Sequence, residues 1–145
     1  MFKHILLPTD GSELSEAAIK EGMQFAKSIN ASVTGIHVIL PFHILTIHTL
    51  MLEDTEEQYA RDSVARAKQY LAVIENAAKD AGVPCDTLYV TSNDPYDAIT
   101  KTAWDKQCDL ILMASHGRRG VQGLLLGSET QKVLTHTRIP VLVFH

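Results

Sequence analysis

Two short clusters hold the residue types that could do chemistry. Pro8-Thr9-Asp10-Gly11-Ser12 places a carboxylate, two hydroxyls and a glycine directly after an apolar run. The second cluster opens with Ala114-Ser115-His116-Gly117, continues through Arg118 and Arg119, and closes on Gly127-Ser128-Glu129-Thr130. A glycine-punctuated loop that runs into a helix start presents backbone N–H groups and the positive end of a helix dipole. Glycine also lets the backbone approach a ligand closely, so this chemistry suits a polyphosphate. Neither GxxxxGKS/T nor a GxGxxG after the first strand occurs, which argues against a P-loop NTPase and an NAD-type site.

Each of these residues also has a plainer reading. Ser128 with Gln131 has the form of a capping box, and residue type alone favours the cap over a phosphate contact. Asp10 three residues before Glu13 reads by type as a helix N-cap with its partner. His116 is a weak candidate for touching phosphate or donating a proton, since loop histidines are commonly just exposed. His43 and His48 have no further ligands around them in the sequence, so no protein-held metal is expected. Met113 reads as core or pocket wall, and Trp104 is expected to pack.

The elements that must position these clusters alternate along the chain. Lys3 to Pro8 is a compact apolar strand, stopped by turn and cap residues. Leu14, Ala18, Gly22, Phe25 and Ile29 then define one helical face. Ala31 to Leu40 is a second strand. A long helix is expected from about Glu53, ending at Gly82 and Pro84. Pro84 to Val90 is a third strand, and Asp94-Pro95 opens a helix with Asp94 as N-cap and Pro95 at its first position. Asp109 to Ala114 is a fourth strand, apolar enough to lie inside the sheet. A short helix runs from Ser128 to about Thr137, and Pro140 to Phe144 is the last strand. Strict alternation predicts an α/β fold, a single domain with one open, mostly parallel five-stranded sheet and helices on both faces.

Composition narrows the function classes. The chain has 145 residues, 46% hydrophobic and 21% charged, with a formal net charge of -4. That balance argues against nucleic acid as the main partner, because phosphate-backbone binding needs clustered Lys and Arg. Two cysteines without a CxxC pair point to a reducing cytoplasm rather than a disulfide framework. The charge-free run Val38 to Leu52 is shorter than the roughly 20 residues that span a bilayer and contains a proline, so no membrane role is expected. It reads as a strand end leading into a loop that packs on its own domain or on a partner subunit.

Several separated segments together resemble the universal stress protein family, ATP-binding type. They are KHILLPTDGSELS at the start, GIHVI at the second-strand end, MASHGRRG, LLLGSETQKVL and the tail IPVLVF. The family's nucleotide signature is Gly-x2-Gly-x9-Gly-Ser/Thr after the fourth strand. Here it reads Ala114-x2-Gly117-x9-Gly127-Ser128, with three of four positions matched. The resemblance implies a Rossmann-type, HUP-like sheet in the order 3-2-1-4-5, with strands one and four meeting at the switch point. It implies ATP, or AMP alone, as the ligand. Adenine would lie near Pro8, Thr9 and Asp10 and hydrogen-bond the backbone of Val38. Ribose and α-phosphate would approach Met113, Ala114, His116, Gly117 and Arg118. The outer phosphates would lie on Gly127, Ser128, Glu129 and Thr130, with Mg2+ held mainly by the phosphates themselves.

Two departures bear on that implication. Ala114 stands where the signature has glycine and fits only if its backbone is extended. Glu129 puts a carboxylate beside the implied phosphates and repels them unless it points away or Arg118 and Arg119 compensate. The resulting expectation is a stress-response sensor or switch with no catalytic residue and at most slow ATP hydrolysis. A homodimer through the strand Pro140 to Phe144 would cover its open edge. The rival expectation is a nucleotide-free dimeric interaction protein of the same fold. Nucleotidyl-transferase and receiver-type readings lack their HIGH-like, SGGxDS-like or acidic-cluster motifs.

Overall fold

In the computed structural model, residues 1–44, 55–117 and 126–145 are described. Among these residues the elements of the fold follow in the order β1 (His4–Pro8), α1 (Glu13–Ser28), β2 (Ser32–Ile39), α2 (Glu56–Ala81), β3 (Cys85–Thr91), α3 (Pro95–Asp105), β4 (Leu110–Ala114), α4 (Ser128–His136) and β5 (Val141–Phe144). The five strands form one sheet in the order β3-β2-β1-β4-β5, and every neighbouring pair is parallel. The doubly wound α/β architecture expected from the alternation is therefore the one observed, with strand ends shifted by a residue or so.

The alternation of side chains along the central strands explains the two helical layers. Ile5 and Leu7 of β1 and Leu110 and Leu112 of β4 face one side, where they pack with Ile19 and Met23 of α1 and Leu71 and Ile74 of α2. Leu6 and Ile111 point to the other side, against Ile99 and Ala103 of α3 and Val133 of α4. All five residues of β4 are buried, as a strand covered on both faces requires. Burying a Leu or Ile side chain contributes about 1.5–3 kcal/mol, so these two layers supply the main stabilisation of the sheet. Trp104 does not join them. It is 75% exposed on α3, against the expectation that it packs.

Local signals set the helix ends. Ser12 is the N-cap of α1, accepting from Ser15 N–H at 3.2 Å, and Thr55 caps α2 by accepting from Gln58 N–H at 3.1 Å. Gly82 closes α2 in the left-handed conformation (φ 71°) that glycine adopts without strain. Asp94 occupies the N-cap position of α3 as expected, but its side chain makes no cap hydrogen bond. Gly127 is the N-cap of α4 and among the described residues no side chain caps that helix, so the capping box expected of Ser128 and Gln131 does not form. Gln131 instead donates through Nε2 to the carbonyl of Leu126 at 2.8 Å. No helix among the described residues is long and apolar enough to cross a membrane.

Candidate functional site

Connections leave β1 toward β2 on one side, while β4 lies on its other side. In such sheets ligands bind outside the strand carboxyl ends at this reversal. A cleft of about 1090 Å³ opens there. It is bordered by Pro8, Thr9, Asp10, Val38, Met113, Ala114, His116, Gly117, Gly127, Ser128, Glu129 and Thr130. Arg118 and Arg119 lie outside the described residues, as does most of the Val38 to Leu52 run, from residue 45 on.

The β1 end is built by short polar contacts. Thr9 N–H extends the ladder by donating to the Ile36 carbonyl at 2.9 Å, and the buried Thr9 hydroxyl lies 3.1 Å from Ser15 Oγ. Gly11 turns the chain with φ +77°, and its N–H donates to Thr9 Oγ1 at 3.1 Å. The face of this turn lies against the Tyr70 ring, so any Cβ at Gly11 would collide with it. Asp10 is not the helix cap its type suggested, because Ser12 fills that position. Its Oδ1 accepts from Ser12 N–H at 3.0 Å, while Oδ2 lies where a Cβ on Gly117 would stand. The two clusters of the sequence thus meet directly, carboxylate against glycine.

The backbone of β2 presents a further edge. Ile36 bonds toward β1, and the Ile39 carbonyl bonds toward β3 by accepting from Ser92 N–H at 3.0 Å. Strand alternation therefore turns the N–H and C=O of Val38 toward β1, just past the point where β1 ends. In this register the next ladder bond would run from Val38 N–H to the Thr9 carbonyl. That carbonyl accepts instead from His37 Nδ1 at 2.8 Å, and the His37 ring sits edge-on to Tyr70 at 5.1 Å. Among the described residues Val38 is thus left with one backbone donor and one acceptor on the side of the cleft it borders.

The β4 end is tied at both sides. Ser115 N–H donates to the Phe144 carbonyl at 2.7 Å, Gly127 N–H to the Ser115 carbonyl at 2.6 Å, and the buried Thr130 hydroxyl to the Ala114 carbonyl at 3.0 Å. A Cβ on Gly127 would come within 3.0 Å of His116 Cα, which explains glycine at this crossing. Ala114 belongs to the extended strand β4 and is absent from the positive-φ residues, so alanine carries no backbone strain there. Ser128 is the first helical residue of α4 rather than its cap. The carboxylate of Glu129 turns out of the α4 start: Oε2 accepts from Tyr96 N–H at 2.9 Å and Oε1 lies 3.5 Å from Lys132 Nζ.

Residues that the sequence reading did not single out form the opposite wall. Tyr59, Ser63, Arg66 and Tyr70 project from α2 into the cleft, and Asn93, Asp94 and Lys132 border it elsewhere. The α2 residues are spaced four, three and four apart, a stripe beside the apolar one; that period was the available signal. Tyr59 closes one corner by donating its hydroxyl to the Leu40 carbonyl at 2.6 Å. Among the described lining side chains, the carboxylates of Asp10, Asp94 and Glu129 face only the cations of Arg66 and Lys132. Among the described residues, attraction for an anion then comes chiefly from backbone N–H groups and the start of α4. Among the described residues no three His, Cys, Asp or Glu side chains gather as a metal site would require.

Fold and cleft together define a doubly wound α/β protein with an open cleft at its switch point. A sequence model of the universal stress protein family matches residues 1–145. Universal stress protein MJ0577 of Methanocaldococcus jannaschii is 32% identical, over 99% of this chain and 94% of that one. Universal stress protein YxiE of Bacillus subtilis is 30% identical, over 99% of both chains. The solved structure of MJ0577 superposes with a TM-score of 0.85, covering 99% of this chain and 96% of that one. At 23% and 16% identity the fold is shared by a universal stress protein in complex with cAMP (TM-score 0.65, 99% and 97% covered) and by one from Archaeoglobus fulgidus in complex with dAMP (TM-score 0.70, 100% and 98% covered). This chain belongs to the universal stress protein family.

Proposed function

We propose that the protein binds an adenine nucleotide, ATP, in the switch-point cleft and works as a stress-response switch rather than as a fast enzyme. The observation that carries this reading is the uncapped start of α4 opening on the same cleft as the Val38 backbone edge. Val38 offers the N–H and C=O that match the acceptor and donor on the edge of an adenine ring. Asp10 lies beside it and suits a sugar hydroxyl or the base. Gly117 and Gly127 keep the floor free of side chains, and the first N–H groups of α4 have no partners within their helix. Mg2+, where present, would be held by the phosphates. That related folds are known with cAMP and with dAMP supports the adenine part of the reading.

ATP turnover is slow or absent on this reading. Asp10 sits at the adenosine end, and His116 is engaged with the Ser115 hydroxyl at 3.2 Å. That leaves no evident general base among the described residues for the far end of a triphosphate lying on α4. The reducing cytoplasm suits a chain whose two cysteines are unpaired. The edge strand β5, with Leu142 40% exposed, suits pairing with a second copy, which sedimentation at micromolar protein tests directly.

The deciding experiment is calorimetric titration of nucleotide-stripped protein with Mg-ATP, beside a Gly127→Asp control. Micromolar binding that the control abolishes is the expected result. Absence of heat with a folded protein would replace this reading with a nucleotide-free interaction protein, and rapid phosphate release would remove the claim of a non-enzymatic switch.

A further inference from the structure

Glu129 is the acidic residue in the first turn of α4, the helix start that the nucleotide reading assigns to phosphates. A carboxylate there ordinarily stays with its own helix dipole. This one reaches across to another helix, where its Oε2 accepts the Tyr96 N–H at 2.9 Å in the first turn of α3. The resident N-cap of α3, Asp94, leaves that work undone. Lys132 Nζ lies 3.5 Å from Oε1 and 5.6 Å above the Tyr96 ring, and the Tyr96 ring packs against His136 with centroids 4.8 Å apart. The carboxylate is therefore parked in the joint between two helix starts that both border the cleft.

We infer that Glu129 is a specificity-determining residue of this cleft: parked at the α3 start, its charge lowers affinity progressively with the number of phosphates on the nucleotide. The inference rests on the nucleotide reading above. Its side chain is 38% exposed, so the charge is screened in part by solvent, and Lys132 offsets more of it. What remains acts on the phosphate tail and not on the uncharged nucleoside. A side-chain charge near a helix start changes affinity by about two- to fivefold. The hydrogen bond to Tyr96 is a separate matter, because an amide carbonyl accepts it as a carboxylate does.

Glu129→Gln removes the charge and keeps the acceptor, whereas Glu129→Ala removes both. The test titrates the nucleotide-stripped full chain and both variants with adenosine, AMP and ATP at low and high salt, alongside thermal melts. Glu129→Gln should leave adenosine unchanged and tighten ATP about two- to fivefold at low salt, with AMP between them and the gain shrinking as salt rises. Its melting temperature should stay near wild type, while Glu129→Ala melts lower because the Tyr96 N–H loses its partner. An equal shift for adenosine and ATP, or no shift for either, would reduce Glu129 to a cap of α3 and overturn the inference alone. Wild-type protein that binds neither adenosine nor ATP would overturn the nucleotide reading and this inference together.

Discussion

Gly117→Ala isolates the contact between the two halves of the site. The glycine has no positive φ, so alanine is allowed by its backbone. The added Cβ falls on Asp10 Oδ2, with Asp10 Cγ at 3.0 Å, and the carboxylate must retreat on the order of 1 Å to regain ordinary contact. Because Oδ1 holds the Ser12 N–H, that retreat also strains the turn after β1. A lost hydrogen bond to a charged group is worth about 1.5–3 kcal/mol, which predicts a roughly tenfold to hundredfold weaker Kd for nucleotide. Loss of the turn bond costs about 1 kcal/mol, or roughly 2–4 °C in Tm at this chain length. The proposed function puts Asp10 at the adenosine end, so adenosine, AMP and ATP should weaken by the same factor. Calorimetry with the three ligands and a thermal melt measure both effects. Wild-type affinity in a folded variant would refute the idea that Asp10, pressed on Gly117, holds the nucleoside. A loss seen only with ATP would refute its location.

Two further predictions concern the opposite end of the sheet and the thiols. Burial by itself raises the Asp86 carboxyl, but the Thr34 hydroxyl and the Lys106 ammonium hold it below its ordinary 3.8. Stability from Asp86 is then complete above pH 3.8 and is lost as pH falls below that value through the lower folded-state pKa. Urea midpoints of Asp86→Asn should lie below wild type at neutral pH and converge with it in acid; a constant gap down to pH 2 would contradict this. Burial, with the carboxylates of Asp86 and Glu75 nearby, pushes the Cys85 thiol up to about 11. Burial, with Asp86 and Asp109, pushes Cys108 up to about 12. Both should react slowly with a thiol reagent at pH 8 and quickly once denaturant is added, and fast labelling of the native protein would be inconsistent with these environments.

The architecture was legible because the strands and helices announce themselves locally. The continuous apolar runs of β1 and β4, the Gly82 stop and the cap-rich turn after Pro8 are all decided by residues close in sequence. The strand order 3-2-1-4-5 is not a local property and followed from the resemblance. The site's floor was legible for the same local reason, since loops after β1 and β4 carry the glycines and the carboxylate. Its wall was not, because Tyr59, Ser63, Arg66 and Tyr70 matter only once α2 lies across the strand ends. Capping was misread twice where a distant partner intervened. Glu129 caps a helix that begins 34 positions before it, and Gly127 rather than Ser128 fills the N-cap position of α4, its N–H donating to the Ser115 carbonyl. Trp104 was expected to pack by residue type, but it lies largely exposed on α3.

The length of α2 has a consequence for how such a cleft could change over generations. Its 26 residues extend about 39 Å, against about 23 Å for the seven residues of the neighbouring β3. The helix is anchored low, where Gly35 leaves room for Ile74, and its excess length rises past the strand ends. The depth of the pocket is thus a tunable dimension counted in helical turns. Removing or adding seven residues near Tyr59 would lower or raise the rim by two turns while keeping the same face inward. Shelter for the occupant and speed of its escape could then be adjusted without altering a single residue of the floor.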